Sequence, residues 1–465
     1  MRGLAALVVL LPALAHASDP PFAVVEVPPQ PHATAAHVLY LNRCADGCTI
    51  TRGSYDDAAN HISTIPTTGP TIQLAPFVWP DATWNALVHC VREVYSPYAL
   101  DVTDVQPPDG VAYNEAVVAG TNRQLGYDGA AGVSPMTSDC SPYANVMSFV
   151  FPNVAIDGDV LWLCWAVAHE TGHAFGLDHT WSFLDGRSAC TDPMSYRTDC
   201  RVQRFFRSER ELCGESMARP CACGETQSAH GRLLSLLGAA TPITAPPTIE
   251  VIEPLAGDQI AGAPVTVHAT AQRGVAALEV WINGARWQTV PGQLDSAYTF
   301  ALDPRIPDGV IDLAIVAKDD LGSATSSPRR RVVKGAPCTS ADTCADGQHC
   351  DVEGRCLWDP PVGELGDACS YDHFCKSELC AGGGADRLCS QRCDVDDPRS
   401  CPDGFHCASD GSDGVCWPGD PVEPAGGCCD TGGAPPVLLA IVVGVLLFRG
   451  RRLTGRSYRD GRRGT

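Results

Sequence analysis

His169-Glu170-Thr171-Gly172-His173-Ala174-Phe175-Gly176-Leu177-Asp178-His179 gathers three histidines and a glutamate into one short stretch of chain. Residues four apart on a helix share a face, so the spacing predicts that His169 and His173 offer two imidazole nitrogens to one metal ion. Glu170 follows the first ligand and is placed to act on a metal-bound water as general base. Gly176 predicts the end of that helix, because a residue without Cβ readily takes the left-handed conformation that turns the chain back. His179 then arrives as the third ligand. Three protein ligands leave the fourth position of Zn²⁺ open to water, the mark of a catalytic site as opposed to a closed structural one. Upstream, Asp159 is a candidate cap for a helix whose next residues, Val160 to Val167, are almost all apolar. The motif therefore begins where a buried helix emerges toward a cleft.

Shortly after His179 comes Asp192-Pro193-Met194-Ser195-Tyr196. The long zinc motif followed by a methionine turn resembles the metzincin clan of zinc endopeptidases. That resemblance implies Zn²⁺ as cofactor, a protein or peptide substrate, Met194 beneath the metal site and Tyr196 as an aid to the oxyanion. Thr180, directly after the third histidine, is similar to pappalysin-type sequences, whereas Met194-Ser195-Tyr196 is similar to serralysin and astacin turns, so the branch stays open. The resemblance also makes the apolar strand Asn145 to Phe151, just before the zinc helix, a candidate sheet edge for an extended substrate. An ordinary buried strand is the alternative.

With 465 residues the chain exceeds what one core usually serves. A net charge of -21 argues against nucleic-acid binding and suits an extracellular protein. Residues 1–17 read as a secretory signal peptide: Arg2, an apolar stretch from Leu4 to Leu14, then Ala15-His16-Ala17. Only a short stretch separates it from the expected opening strand at Val38 to Leu41, leaving no room for a folded pro-domain. Cysteines fall into ten before residue 240, twelve from Cys338 to Cys416, and the pair Cys428-Cys429. Even numbers in an exported chain imply disulfides closed within each domain, with connectivity undetermined. Arg43-Cys44 is similar to a cysteine-switch peptide, in which a thiolate blocks the zinc, with a disulfide involving Cys44 and Cys48 as the alternative. Cys190 and Cys200 flank the methionine turn, and Cys213, Cys221 and Cys223 crowd the segment after it.

The fold class expected is multidomain. An α/β (α+β) metzincin-like zinc peptidase domain spans 34–240, with a helix over Ala82 to Val94. A proline-rich linker at 241–247 leads to an all-β immunoglobulin-like sandwich at 248–334, in which Asn283-Gly284 supplies a hairpin turn. A small cysteine-rich module at 338–416 carries the weak repeat Cys344 to Cys350 against Cys401 to Cys407 and is stapled by disulfides in place of a core. His349 and His406 raise a metal reading that oxidised cysteines would defeat. Residues 426–465 form a sorting or anchor segment: Cys428-Cys429, the apolar run 437–448, then five arginines from Arg449 to Arg459. That run is short for a membrane span, and the arrangement resembles myxobacterial C-terminal sorting signals, which implies attachment to the cell envelope. A tail anchor, as a short transmembrane helix, is the alternative. The function expected is an exported, surface-displayed zinc endopeptidase; the competing class is a surface adhesion or binding protein with a vestigial peptidase domain.

Overall fold

In the computed structural model, which describes residues 22–29, 34–181, 191–197, 201–260, 262–383, 386–394, 399–409 and 414–419, the chain is multidomain and β-rich, with few helices. The first domain contains β1 (Phe22–Val27), β2 (Val38–Asn42), β3 (Cys48–Arg52), β4 (Ile62–Ser63), β5 (Thr71–Leu74), α1 (Asp81–Tyr95), β6 (Asp101–Thr103) and β7 (Asn114–Val118). It continues with α2 (Asn122–Leu125), β8 (Gly132–Thr137), β9 (Met147–Val150), α3 (Val160–Ala174) and α4 (Ala229–Leu237). Six strands make one mixed sheet in the order β1-β8-β9-β7-β2-β6. β9, β7, β2 and β6 run parallel, β8 is antiparallel to β9, and β1 lies parallel to β8 at the margin.

Alternation along β7 sorts the two faces. Ala116 and Val118 join Leu39, Leu41 and Val150 against α1 and α3, while Val117 joins Ile50, Leu74 and Phe149 beneath the small sheet β4-β3-β5. The Cys90–Cys164 disulfide ties α1 to α3. Two expectations change here. The sheet reaches back to Phe22, ahead of the expected start at 34, because β1 adds itself to β8. β9 is no edge: it is hydrogen-bonded to β7 and β8 and all four of its residues are buried. The edge next to α3 is β8, and β1 covers it.

β7 also buries Glu115, only 1% exposed, whose Oε1 accepts from Asn42 Nδ2 at 2.7 Å while Oε2 has no partner among the described residues. Burial pushes this carboxyl up to about 8. The unfolded chain ionises first, so Glu115 favours folding below about pH 4 and that contribution is lost as pH rises toward 8. Glu115→Gln keeps the shape and the Asn42 contact. It is expected to stabilise the protein at pH 8 by an amount on the order of a few kcal/mol and to do nothing at pH 4, read as the shift in urea midpoint at each pH.

The second domain is a sandwich of β10 (Thr248–Glu253), β11 (Val265–Thr270), β12 (Ala277–Ile282), β13 (Ala285–Pro291), β14 (Ala297–Phe300), β15 (Gly309–Lys318), β16 (Ala324–Ser326) and β17 (Arg330–Lys334). One sheet is β10-β11-β14; the other is β13-β12-β15-β16, with β17 also on β15. Asn283 and Gly284 both take positive φ, 53° and 87°, and form the tight turn between β12 and β13. The sandwich meets the first domain through Asp320, which accepts hydrogen bonds from Arg207 and the fully buried Arg273.

In the C-terminal region six disulfides pair Cys338–Cys350, Cys344–Cys356, Cys369–Cys380, Cys375–Cys389, Cys393–Cys407 and Cys401–Cys416. Each consecutive set of four cysteines joins first to third and second to fourth, so the weak repeat seen in sequence is the middle of the first and third of three interlaced units. His349 turns to Asp359 and His406 to the Gly419 carbonyl. The segments 1–17 and 426–465 lie outside the described residues, as do Cys190 and Cys200. Among the described residues no helix is long and apolar enough to cross a membrane.

Candidate metal centre

Asp159 caps α3 as expected, its carboxylate accepting from the backbone N–H groups of Leu161 and Trp162. The first nine residues of the helix are apolar on every side, and from Leu163 onward the helix is buried. It ends in a left-handed Gly176 (φ 76°), whose N–H returns to the His173 carbonyl at 2.8 Å. A Cβ at Gly176 would lie 2.1 Å from the Cys140 carbonyl oxygen, so both the conformation and the space demand glycine. The turn brings His179 back over His173.

The three imidazoles converge. His173 Nε2 is 3.2 Å from His169 Nε2 and 3.1 Å from His179 Nε2, and none of the three residues is more than 6% exposed. Each Nδ1 faces an acceptor that carries no proton: the Pro193 carbonyl at 2.8 Å for His169, the Leu177 carbonyl at 2.7 Å for His173, and Glu215 Oε1 at 2.6 Å for His179. Each Nδ1 therefore holds the hydrogen, and three Nε2 lone pairs point at one another in a dry interior. Burial disfavours the charged form of two of the rings, pushing His173 down to about 3 and His169 well below the usual imidazole range. Such a set could hold a metal ion. Tetrahedral Zn²⁺ at ~2.0–2.1 Å from each nitrogen would space them by roughly 3.3 Å, which the observed separations fit.

Glu170 is 0% exposed, and neither carboxylate oxygen has a hydrogen-bond partner among the described residues. Burial alone pushes its pKa well above the usual range. A Cβ on Gly132 of β8 would lie 2.4 Å from Glu170 Oε1, so the bare backbone there makes room for the carboxylate. Met194 is fully buried against α3, its sulfur so near Gly172 that a Cβ there would come within 2.6 Å of it. The turn carrying it is held by Asp192, which accepts from Met194 N at 2.8 Å and Arg207 N at 2.9 Å. The Tyr196 hydroxyl lies 3.1 Å from His179 Nε2 and donates to the Phe22 carbonyl at 3.1 Å. All six residues expected from sequence, His169, Glu170, His173, His179, Met194 and Tyr196, thus meet in one place.

Three supporting residues escaped the sequence reading. Arg219 binds Glu215 at 2.8 Å and grips both oxygens of Asp178 at 2.6 and 2.8 Å. Asp178 in turn accepts from His179 N at 2.7 Å. The hydrogen bond from His179, with those of Arg219, holds the Glu215 carboxyl down at about 2, so it stays an anion beside the imidazole. The Cys213–Cys221 disulfide closes the loop that delivers Glu215 and Arg219. Oxidised in this bridge, Cys213 and Cys221 offer no thiolate to a metal, and Cys44, bridged to Cys48, is not a free switch thiol. A carboxylate on the far nitrogen of a ligating histidine orients the ring and raises its basicity. Glu215→Ala is expected to weaken metal binding by roughly 10- to 100-fold with little change in fold, measured by competition against a chromogenic chelator.

Comparison with known proteins speaks to the second domain. Residues 247–327 match the bacterial Ig domain family. Fibronectin(III)-like modules of CbhA from Clostridium thermocellum are similar at 19% identity, covering 19% of this chain and 96% of that one with a TM-score of 0.16. OgpA from Akkermansia muciniphila is similar at 15% identity, covering 46% of this chain and 63% of that one, TM-score 0.15. Scores this low carry no argument about the first domain. No curated protein matches the chain. The immunoglobulin-like domain and the many disulfides are compatible with an exported protein.

Proposed function

We propose that this chain is an exported zinc endopeptidase with a metzincin-like catalytic domain, displayed at the cell surface through its C-terminal segment. The observation that carries the reading is the convergence of three buried, Nδ1-anchored histidines beside a buried glutamate with no hydrogen-bond partner among the described residues. His169, His173 and His179 would hold Zn²⁺ through Nε2, and the ion, when bound, supplies a Lewis acid and a water acidified toward ~7. Burial disfavours the Glu170 carboxylate, and a cation held by the three histidines would offset that.

The chain's own groups divide the remaining work. Glu170 takes a proton from the attacking water as the new C–O bond forms, then gives it to the amine nitrogen as the C–N bond breaks. The Tyr196 hydroxyl donates to the carbonyl oxygen on which negative charge develops, as it already donates to the peptide carbonyl of Phe22. Pro193, Leu177 and Glu215 fix the three rings, so no ligand has to reorganise. Met194 supports the histidines from below.

The test is metal analysis and peptide hydrolysis on the oxidised, purified protein. One zinc per chain is expected, with cleavage of a casein-derived peptide library lost to 1,10-phenanthroline and restored by added zinc. Stoichiometric zinc without cleavage of any peptide would favour a binding protein with a vestigial peptidase domain.

A further inference from the structure

The margin of the main sheet next to the metal centre is already occupied. β1 pairs with β8 in parallel register, Phe22 opposite Gly132 through to Val27 opposite Thr137, and among the described residues no strand lies on its outer side. Its outward face is partly open: Phe22 and Val27 are buried, Ala23 and Val25 half-buried, Val24 and Glu26 exposed. Pro28 and Pro29 follow it directly, where their rings restrict the backbone as it leaves the strand.

Its grip lies at the first residue, and the surfaces gripped are those of the candidate site. The Phe22 ring stacks on His169 with centroids 4.1 Å apart and meets the edge of Trp165 at 4.9 Å. Tyr196 closes a third side at 5.8 Å, leaving Phe22 2% exposed. The Phe22 carbonyl takes the Tyr196 hydroxyl. Gly132, the register partner of Phe22, is the residue whose missing Cβ accommodates Glu170. One peptide carbonyl and one large side chain therefore fill the ground between Tyr196, His169 and the β8 edge, and a second peptide cannot take the same contacts while they are there.

We infer that β1 is a tethered peptide occupying the substrate groove: the β8 edge binds extended peptide backbone, and the hollow formed by Trp165, His169 and Tyr196 is a subsite for an aromatic or large aliphatic side chain. The inference rests on the peptidase reading for its consequence, that the chain works slowly until the strand leaves. The occupancy of the groove stands independently of it. An unpaired strand edge is a ready template for β-augmentation, in which backbone bonds give affinity and a side-chain pocket gives selectivity.

The test uses the full chain with a site for a sequence-specific protease inserted between Val27 and Thr34. Uncut protein is expected to hydrolyse peptides slowly, and cutting followed by gel filtration to raise the rate at least tenfold. The synthetic peptide Phe-Ala-Val-Val-Glu-Val, fluorescently labelled, is expected to bind the cut protein by anisotropy and to restore inhibition. Ala-Ala-Val-Val-Glu-Val should bind roughly ten- to a hundredfold more weakly, from the loss of the buried ring. In the uncut chain, Phe22→Ala is expected to raise the basal rate. Equal rates before and after cutting, with no binding of the labelled peptide, would overturn the inference and leave the peptidase reading in place. Peptide binding without hydrolysis in any form would sink the peptidase reading and uphold the groove. Loss of the circular-dichroism signature of fold on cutting would show β1 to be a structural strand and overturn the inference as well.

Discussion

Glu170→Gln is expected to lower peptide hydrolysis by roughly 10²- to 10⁴-fold while the protein retains its zinc. The amide has the volume and shape of the carboxylate it replaces, and since neither Glu170 oxygen is hydrogen-bonded among the described residues, no partner is lost. The substitution removes only the capacity to accept a proton from water. The three histidines, each anchored through Nδ1 by groups other than Glu170, keep their positions. Removing a charge that burial disfavours carries no penalty for folding, so the thermal midpoint of the metal-free variant should not fall. Metal content by mass spectrometry and initial rates on one peptide decide the matter. Unchanged hydrolysis would remove Glu170 from the chemistry; loss of zinc together with activity would make it a support of the metal.

The convergence of these residues was legible in sequence because it is local. A four-residue spacing dictates that His169 and His173 share a helix face, and Gly176 reports the turn that returns His179. Met194 and Tyr196 could be placed because they follow the motif closely. What escaped was non-local. Glu215 meets His179 across a loop whose path depends on which cysteine pairs with which, and pairings cannot be read from spacing. Strand order within a sheet is equally hidden. The run around Met147 to Val150 reads as apolar whether it is an edge or an interior strand, and only its two neighbours show it to be interior. β1 was missed for a related reason. Its six residues lack a clean alternation, lie beside prolines, and become a strand only because β8 offers an unpaired edge beside α3. The cysteine-rich region showed its density in sequence and its threefold interlacing only in three dimensions.

His179→Ala should behave differently from Glu170→Gln, losing metal and activity together. His169 and His173 belong to one helix and come as a preformed pair, but two imidazoles are a poor cage for Zn²⁺, which in catalytic sites takes three protein ligands. His179 is also where the support converges, with Glu215 on its Nδ1 and Asp178 on its backbone N–H. Truncation therefore wastes that network: Glu215 and Asp178 stay bound to Arg219 and keep the loop folded, yet hold nothing against the metal. The expected result is a folded protein with intact disulfides whose zinc affinity falls by at least 10³-fold, well beyond the roughly 10- to 100-fold expected when Glu215 alone is removed. A ladder of Glu215→Ala and His179→Ala, titrated with zinc against a chromogenic chelator at fixed pH, separates a supporting carboxylate from a ligand. Equal losses in the two variants would mean that His179 acts only through Glu215, and retention of one tightly bound zinc by His179→Ala would exclude it from the ligand set.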